Sequence, residues 1–258
     1  MPATTAAGDL VPEVSTARLP VPIAAAVMDQ VEAVRLLAGP GADVAAVPAY
    51  AYPESAARAL GHAARYGIWR ARAPGHVPDL EGLRQERARE LIAGFLAAAP
   101  EGGWLPPDSA AELLGCYGVP LAEGAVATAG GGVEVTISVL HEQVFGPLVL
   151  AGLAANDAGG LAGRAARITP LTDSDADDLI RSIPGAPLLL GRRGTPSADL
   201  AALRDVLLRV SQMADDLPQI TELELSPVIA SPDGIQVTGS QVRIQAAESA
   251  DAYLRRLP

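Results

Sequence analysis

Gly131–Ala154 reads GGVEVTISVLHEQVFGPLVLAGLA, and the rest of the chain is organised around this stretch. Val133 to Leu140 is rich in β-branched residues, which favour an extended, pleated backbone. His141, Glu142 and Gln143 are polar, Phe145-Gly146-Pro147 makes a turn, and Leu148 to Leu153 is a second apolar run of strand length. Two such runs across a short Gly/Pro connection predict a β-hairpin.

On the C-terminal side, Asn156–Gly163 reads as a flexible loop and Arg167–Leu171 as a third strand. Thr172 and Asp175 spell a capping box ahead of Ala176, Leu179, Ile180 and Ile183. Ser197 is expected to cap a long helix with Leu200, Leu203, Leu207 and Val210 inward. Ile220–Ile229 and Ile235–Ile244 predict two strands joined at Pro232-Asp233-Gly234, and Asp251–Leu257 a closing helix. This order predicts an α+β layer, an antiparallel sheet with helices on one face.

On the N-terminal side, the triple glycine 130–132 follows a featureless Ala125–Ala129. Asp108 is expected to cap the short helix SAAELLGCY, and Leu83–Ala99 to form a helix with Ala88, Leu91, Ile92 and Phe95 inward. Ala73–Asp79 is linker-like. Pro53 starts a helix whose Ala57, Leu60, Ala64 and Ile68 share one face, and Val44–Tyr50 reads as a buried strand. Before them, Val21–Met28 predicts a strand and Asp29 opens a helix carrying Val31, Val34, Leu36 and Leu37. The order βαβα is that of a parallel sheet, here the end of a doubly wound α/β domain. Residues 1–19 are small and polar and are expected to be mobile.

Hydrophobic residues make up 49% of the chain, enough for a globular core. The net charge of −11 argues against nucleic acid or an anionic membrane as partner, because both require a basic face. No run approaches the roughly 18 apolar residues of a membrane span, and the expectation is a cytoplasmic protein. Cys116 is alone, so no disulfide framework or CxxC site can be written. All 19 cationic residues are arginine. Without lysine, the chain by itself has no Schiff base, amine nucleophile or Walker-type phosphate lysine.

Few residues suggest chemistry. The glycines of GLAANDAGGLAG fit neither GxGxxG nor GxxxxGK[ST] and read as a mobile loop rather than a phosphate cradle. Glu222 and Glu224 alternate on one strand and so share a face, either a pair of Mg²⁺ ligands for a nucleotide or an exposed edge of an acidic protein. His62, His76 and His141 have no nucleophile motif beside them. Arg192-Arg193 can meet a phosphate or simply line a surface loop.

The spelling carries more. GGVEV, FGPLVLAGL, ARITPLTDSDADDLIRSI, PLLLGRRG, LLRVSQMADDLPQITELELSPVIASPDG and DAYLRRLP resemble, in collinear order, the NDP-forming acyl-CoA synthetases (acetate–CoA ligase, ADP-forming). The likeness is to the C-terminal part of their ATP-grasp domain. AVMDQVEAVRLL and VPAYAYPESAARALGHAARYGIWR resemble the end of that family's succinyl-CoA-ligase-like flavodoxin domain, and PDSAAELLGCYGVPLAEG the segment that opens its ATP-grasp region. Related modules occur fused to GNAT acetyltransferases in actinobacteria, and the Arg-, Ala- and Gly-rich composition resembles such a source.

The resemblance implies a tail (1–19), a partial flavodoxin-like βαβα segment (20–73), a linker helix with the helix that opens the ATP-grasp region (74–128), and an ATP-grasp C-lobe (129–258). It implies ATP, Mg²⁺ and CoA as the family's ligands. Glu134 matches a family position near the nucleotide, and Glu222, Glu224 and Ser226 match the metal strand. The family spells that strand Glu-Leu-Asp-Leu-Asn-Pro, so Glu224 and Ser226 are departures, and Ser226 lacks the amide oxygen that could ligate Mg²⁺. Where the family inserts its nucleotide-binding lobe with a phosphate lysine, this chain has only TAGGG. The expectation is therefore a degenerate, non-catalytic regulatory or scaffold module, with no competent ATP site of its own. The alternative is a ligase subunit that needs a partner chain for ATP. Partners expected on this resemblance are a synthetase-like chain or a GNAT acetyltransferase. A remnant joined at the three glycines is a third possibility.

Overall fold

A computed structural model describes residues 21–37, 46–122, 132–142, 144–154, 163–191 and 196–246. The expected tail 1–19, the loop residues 156–162, Arg192-Arg193 and the closing helix 251–257 lie outside the described residues. Contacts divide the chain into two units, Met1–Ala73 and Pro74–Pro258.

In the first unit, β1 (Ala25–Ala26), β2 (Val34–Leu37) and β3 (Val47–Tyr50) form a sheet in the order β1-β3-β2, followed by helix α1 (Pro53–Ala71). β1 is parallel to β3, but β2 is antiparallel to it, pairing Val34 with Tyr50 and Leu37 with Val47. The helix expected from Asp29 is therefore a turn and a strand. Asp29 takes a left-handed φ of 69°, and the Gln30 amide donates to the carbonyls of Glu32 and Ala49. Helical spacing misled here because the apolar side chains it relied on stay outside, with Val31, Val34 and Leu36 all exposed. Without burial a short helix has little to hold it. α1 forms with Pro53 in its first turn, yet it buries Ala56, while Ala57, Ala64 and Ile68 of the expected face are exposed.

The second unit contains α2 (Gln85–Ala98), β4 (Gly103–Trp104), α3 (Pro107–Cys116), β5 (Val133–Glu142), β6 (Gly146–Leu153) and β7 (Arg164–Ile168). α4 (Asp173–Ser182), a 3-10 turn (Ala186–Leu188), α5 (Leu200–Asp216), β8 (Ile220–Ser231), β9 (Gly234–Val237) and β10 (Ser240–Ile244) follow. The strands form one sheet in the order β4-β10-β8-β5-β6-β7, with β9 also on β8. Every pairing between named strands in it is antiparallel. This is a mixed α/β protein with an antiparallel sheet and helices, as the sequence predicts. The opening hairpin is β5 and β6, paired from Val135–Leu153 to Glu142–Gly146.

One core fills the space between sheet and helices. Ile137, Val149, Leu223 and Val242 of the sheet are buried in one cluster with Leu113, Leu179, Leu203 and Leu207 of the helices. The third strand lies three residues earlier than expected. Asp108 sits in the first turn of α3 behind Pro106 without a side-chain cap, and Asp199 rather than Ser197 caps α5, accepting from Ala202 N at 2.9 Å. The strand expected over Ile235–Ile244 is broken at Thr238-Gly239, where Ser226 N donates to Gly239 O and Thr238 N to Pro227 O. β8 carries a bulge opposite Val135/Ile137, so β9 and β10 pair with different halves of it.

The capping box is present. Thr172 Oγ1 accepts from Asp175 N and the Asp175 carboxylate from Thr172 N, both at 3.1 Å. Thr172→Ala is expected to cost about 1 kcal/mol, read as a lower urea midpoint at unchanged slope. Among the described residues no helix is long and apolar enough to cross a membrane.

Candidate functional site

The acidic strand β8 alternates as its sequence suggests. Leu223 and Leu225 point into the core, while Glu222 is half-buried and Glu224 exposed on the opposite face. Register places Arg243 of β10 on one side of Glu222 and Leu140 of β5 on the other. One step along, Glu224 lies between Gln241 and Ser138. Ser226 follows at the bulge, its hydroxyl 3.3 Å from Thr136 Oγ1. Glu134 is further along β5, opposite Ile229, and exposed. Alternation thus puts Glu134, Glu222, Glu224 and Ser226 along neighbouring strands of one face, with Ser226 held by Thr136 rather than turned toward the glutamates.

Two arginines that the sequence reading passed over complete this face. Val242 and Ile244 are buried, so Arg243 between them points outward. Its Nη1 donates to Glu222 Oε1 at 2.8 Å, and its guanidinium carbon lies 5.8 Å from the centre of the Trp104 ring. A planar cation over an indole is held by the ring quadrupole as well as by the carboxylate. Arg164 reaches in from β7, its Nη1 donating to Ser138 Oγ at 2.9 Å. It crosses β6 at Gly152, where a Cβ would stand 2.9 Å from Arg164 Cγ and 3.1 Å from Gly163 O. A glycine is what lets that side chain lie flat. Alternation in QVRI was the available signal for Arg243, whereas nothing local in sequence announces the reach of Arg164.

Between these groups lies a concavity of about 220 Å³, lined by Trp104, Ser138, Leu140, Arg164, Glu222 and Glu224 among others. Its lining holds two carboxylates and the Arg164 guanidinium, and Arg243 pairs with one of those carboxylates, Glu222, from β10. Among the described residues no three His, Cys, Asp or Glu side chains are grouped so as to hold a metal ion.

The other candidates lie apart. His76 Nδ1 is 3.1 Å from Asp173 Oδ2, His62 Nδ1 is 3.0 Å from Arg65 Nη2, and His141 is exposed on β5. Hydrogen bonds from the backbone N–H groups of His76 and Ser174 hold the Asp173 carboxyl below its usual range. Cys116 is fully buried, and that burial pushes its thiol up, away from the reactive thiolate. Gly132, the described member of the triple glycine, lies close to β8: a Cβ there would meet Ile229 Cγ2 at 2.6 Å.

Residues 126–244 match the family described as ATP-grasp domain. The chain is 34% identical over 102 residues to the β subunit of ADP-forming acetate–CoA ligase I of Pyrococcus furiosus, a match covering 40% of this chain and 44% of that subunit. It is 38% identical over 104 residues to the β subunit of ligase II from the same organism, with the same coverage, 40% and 44%. An ADP-forming 4-hydroxybutyrate–CoA ligase of Nitrosopumilus maritimus is 35% identical over 104 residues, 40% of this chain and 15% of that protein. The matches thus span less than half the length of these relatives. Among solved structures, a dinucleotide-forming acetyl-coenzyme A synthetase 1 of Ca. Korarchaeum cryptofilum, in complex with coenzyme A and Mg-AMPPCP, superposes with a TM-score of 0.52 at 22% identity, covering 61% of this chain and all (100%) of that one. PH1788 of Pyrococcus horikoshii superposes with a TM-score of 0.55 at 21% identity, over 62% and 99% of the two chains. At these identities the superpositions speak to the fold. Residues 126–244 therefore match the ATP-grasp family, and part of this chain is similar to part of the ADP-forming acetate–CoA ligases.

Proposed function

We propose that the chain is a degenerate acyl-CoA synthetase-like component, lacking the nucleotide-binding lobe and serving as a non-catalytic regulatory or scaffold module. The observation that carries this reading is the shortness of one connection. Leu121 is already bridged to Val237, and Val133 is already paired with Ala230. Both ends are thus fixed to the same sheet, and residues 122–132 are all that lies where the resembling family inserts its lobe. A folded lobe needs on the order of 50 residues.

The donor set supports the same reading. Mg²⁺ wants near-octahedral oxygen ligation, with carboxylates supplementing water and phosphate. Glu222 is engaged by Arg243, Ser226 offers a hydroxyl shared with Thr136, and Glu224 is left as the one carboxylate beside them. These residues do not fit a Mg²⁺ site, and with no lysine in the chain the triphosphate lacks its usual point cation. Titration of the chain with Mg·ATP in a calorimeter is expected to give no binding. A dissociation constant below about 0.1 mM overturns the proposal.

A second reading has its own support, because the P. furiosus relatives are named as β subunits. In that reading a synthetase-like partner chain supplies the ATP-binding lobe and the pair forms acyl-CoA. Co-expression with a lysine-bearing lobe, followed by an assay for ATP- and CoA-dependent thioester formation, separates the two. A GNAT acetyltransferase is the other partner for which a scaffold role is proposed.

A further inference from the structure

We infer that Arg243 gives the acidic row of β8, from within the protein, the positive charge that a divalent cation would otherwise bring. This rests on the proposal above that the chain has no competent Mg·ATP site. Arg243 is placed for the task from two sides. Its Nη1 lies 2.8 Å from Glu222 Oε1, and the indole of Trp104, 5.8 Å away, flanks its guanidinium. A guanidinium is planar and stays charged throughout the working pH range, so this cation is permanent, whereas a bound metal ion can exchange.

Arg164 extends the effect to the second carboxylate. Its guanidinium donates to Ser138, the residue opposite Glu224 in the β5–β8 register. Two guanidiniums therefore flank two carboxylates along a single face. A divalent cation entering there would have to take Glu222 from a 2.8 Å partner and stand close to like charge. It would also lose part of its hydration shell for a site whose charge is already compensated. The row Glu222-Leu223-Glu224 keeps the spacing of a metal strand while its ligand has become internal.

The test uses Mn²⁺ alone, without nucleotide, followed by electron paramagnetic resonance of the free ion on the full chain. Wild-type protein is expected to show no saturable site. Arg243→Met, which keeps the apolar stem and removes the charge, is expected to bind Mn²⁺ with a dissociation constant on the order of 1 mM, at least tenfold tighter than wild type. Adding Glu222→Gln to that variant abolishes the gain. Arg243→Gln repeats the measurement with a polar stem in case the Met variant does not fold. Saturable Mn²⁺ binding by wild type, or no gain in a folded Arg243 variant, overturns the inference. The Mg·ATP titration of wild type tests the broader proposal separately.

Discussion

Asp216→Ala is expected to cost about 3 kcal/mol of stability, because one carboxylate serves three donors from separate parts of the second unit. Tyr117 Oη donates to Oδ2 at 3.0 Å, the Gln85 amide to the same oxygen at 2.8 Å, and the Gln212 amide to Oδ1 at 2.9 Å. The α2 and α5 helices and the residue that ends α3 are thereby tied at one point. Alanine leaves the fully buried Tyr117 hydroxyl without its acceptor, and an orphaned buried polar group costs about 1–3 kcal/mol, with hydrogen bonds to charge at the upper end. Tyr117→Phe removes a donor and leaves the carboxylate its two amides, so its cost is nearer 1 kcal/mol.

The pair also has a signature in pH. Burial first, and the hydrogen bond to Asp216 second, push the Tyr117 phenol far above its ordinary value. A phenol raised in the folded state contributes stability in full below its unfolded value, about pH 10, and loses it as pH climbs toward the folded value. Wild-type protein should therefore weaken above about pH 10 more steeply than Tyr117→Phe. Urea midpoints at a series of alkaline pH values measure the difference, and parallel curves would contradict it.

Leu207→Ala is the larger single loss. Leu207 is fully buried in α5, the helix that packs on β5, β6 and β9. Truncation removes the transfer free energy of the side chain and leaves a cavity, a combined cost of about 2–5 kcal/mol. Net stabilities are about 5–15 kcal/mol, so a marginal second unit would unfold in part at ambient temperature. Fluorescence of Trp104 in a Trp69→Phe background reports the second unit alone. A midpoint within about 0.5 kcal/mol of the parent would contradict the central place given to α5.

What could be read from the sequence follows from where local pattern and tertiary context agree. Val133–Leu140 and Leu148–Leu153 are strands by composition and remain so in the sheet. The capping box at Thr172 and the inward leucines of α5 are local signals that packing reinforces. At Asp29–Leu37 the two disagree, because an antiparallel partner at β3 outweighs helical spacing that buries nothing. The acidic row on β8 is visible as alternation. The outward direction of Arg243 is visible in the same way, but its meeting with Glu222 depends on cross-strand register, and the reach of Arg164 needs a glycine on the strand it crosses.

The bulge in β8 has a meaning for comparing sequences. Before it, odd-numbered residues such as Leu223 and Leu225 face the core; after it, even-numbered Val228 and Ala230 do. Deleting a single residue at Ser226-Pro227 would leave Leu225 and Val228 two positions apart, so the strand would alternate without a bulge and every core residue would keep its face. An alignment that places a one-residue gap at this point therefore keeps inside and outside unchanged beyond it, whereas the same gap elsewhere in the strand exchanges them.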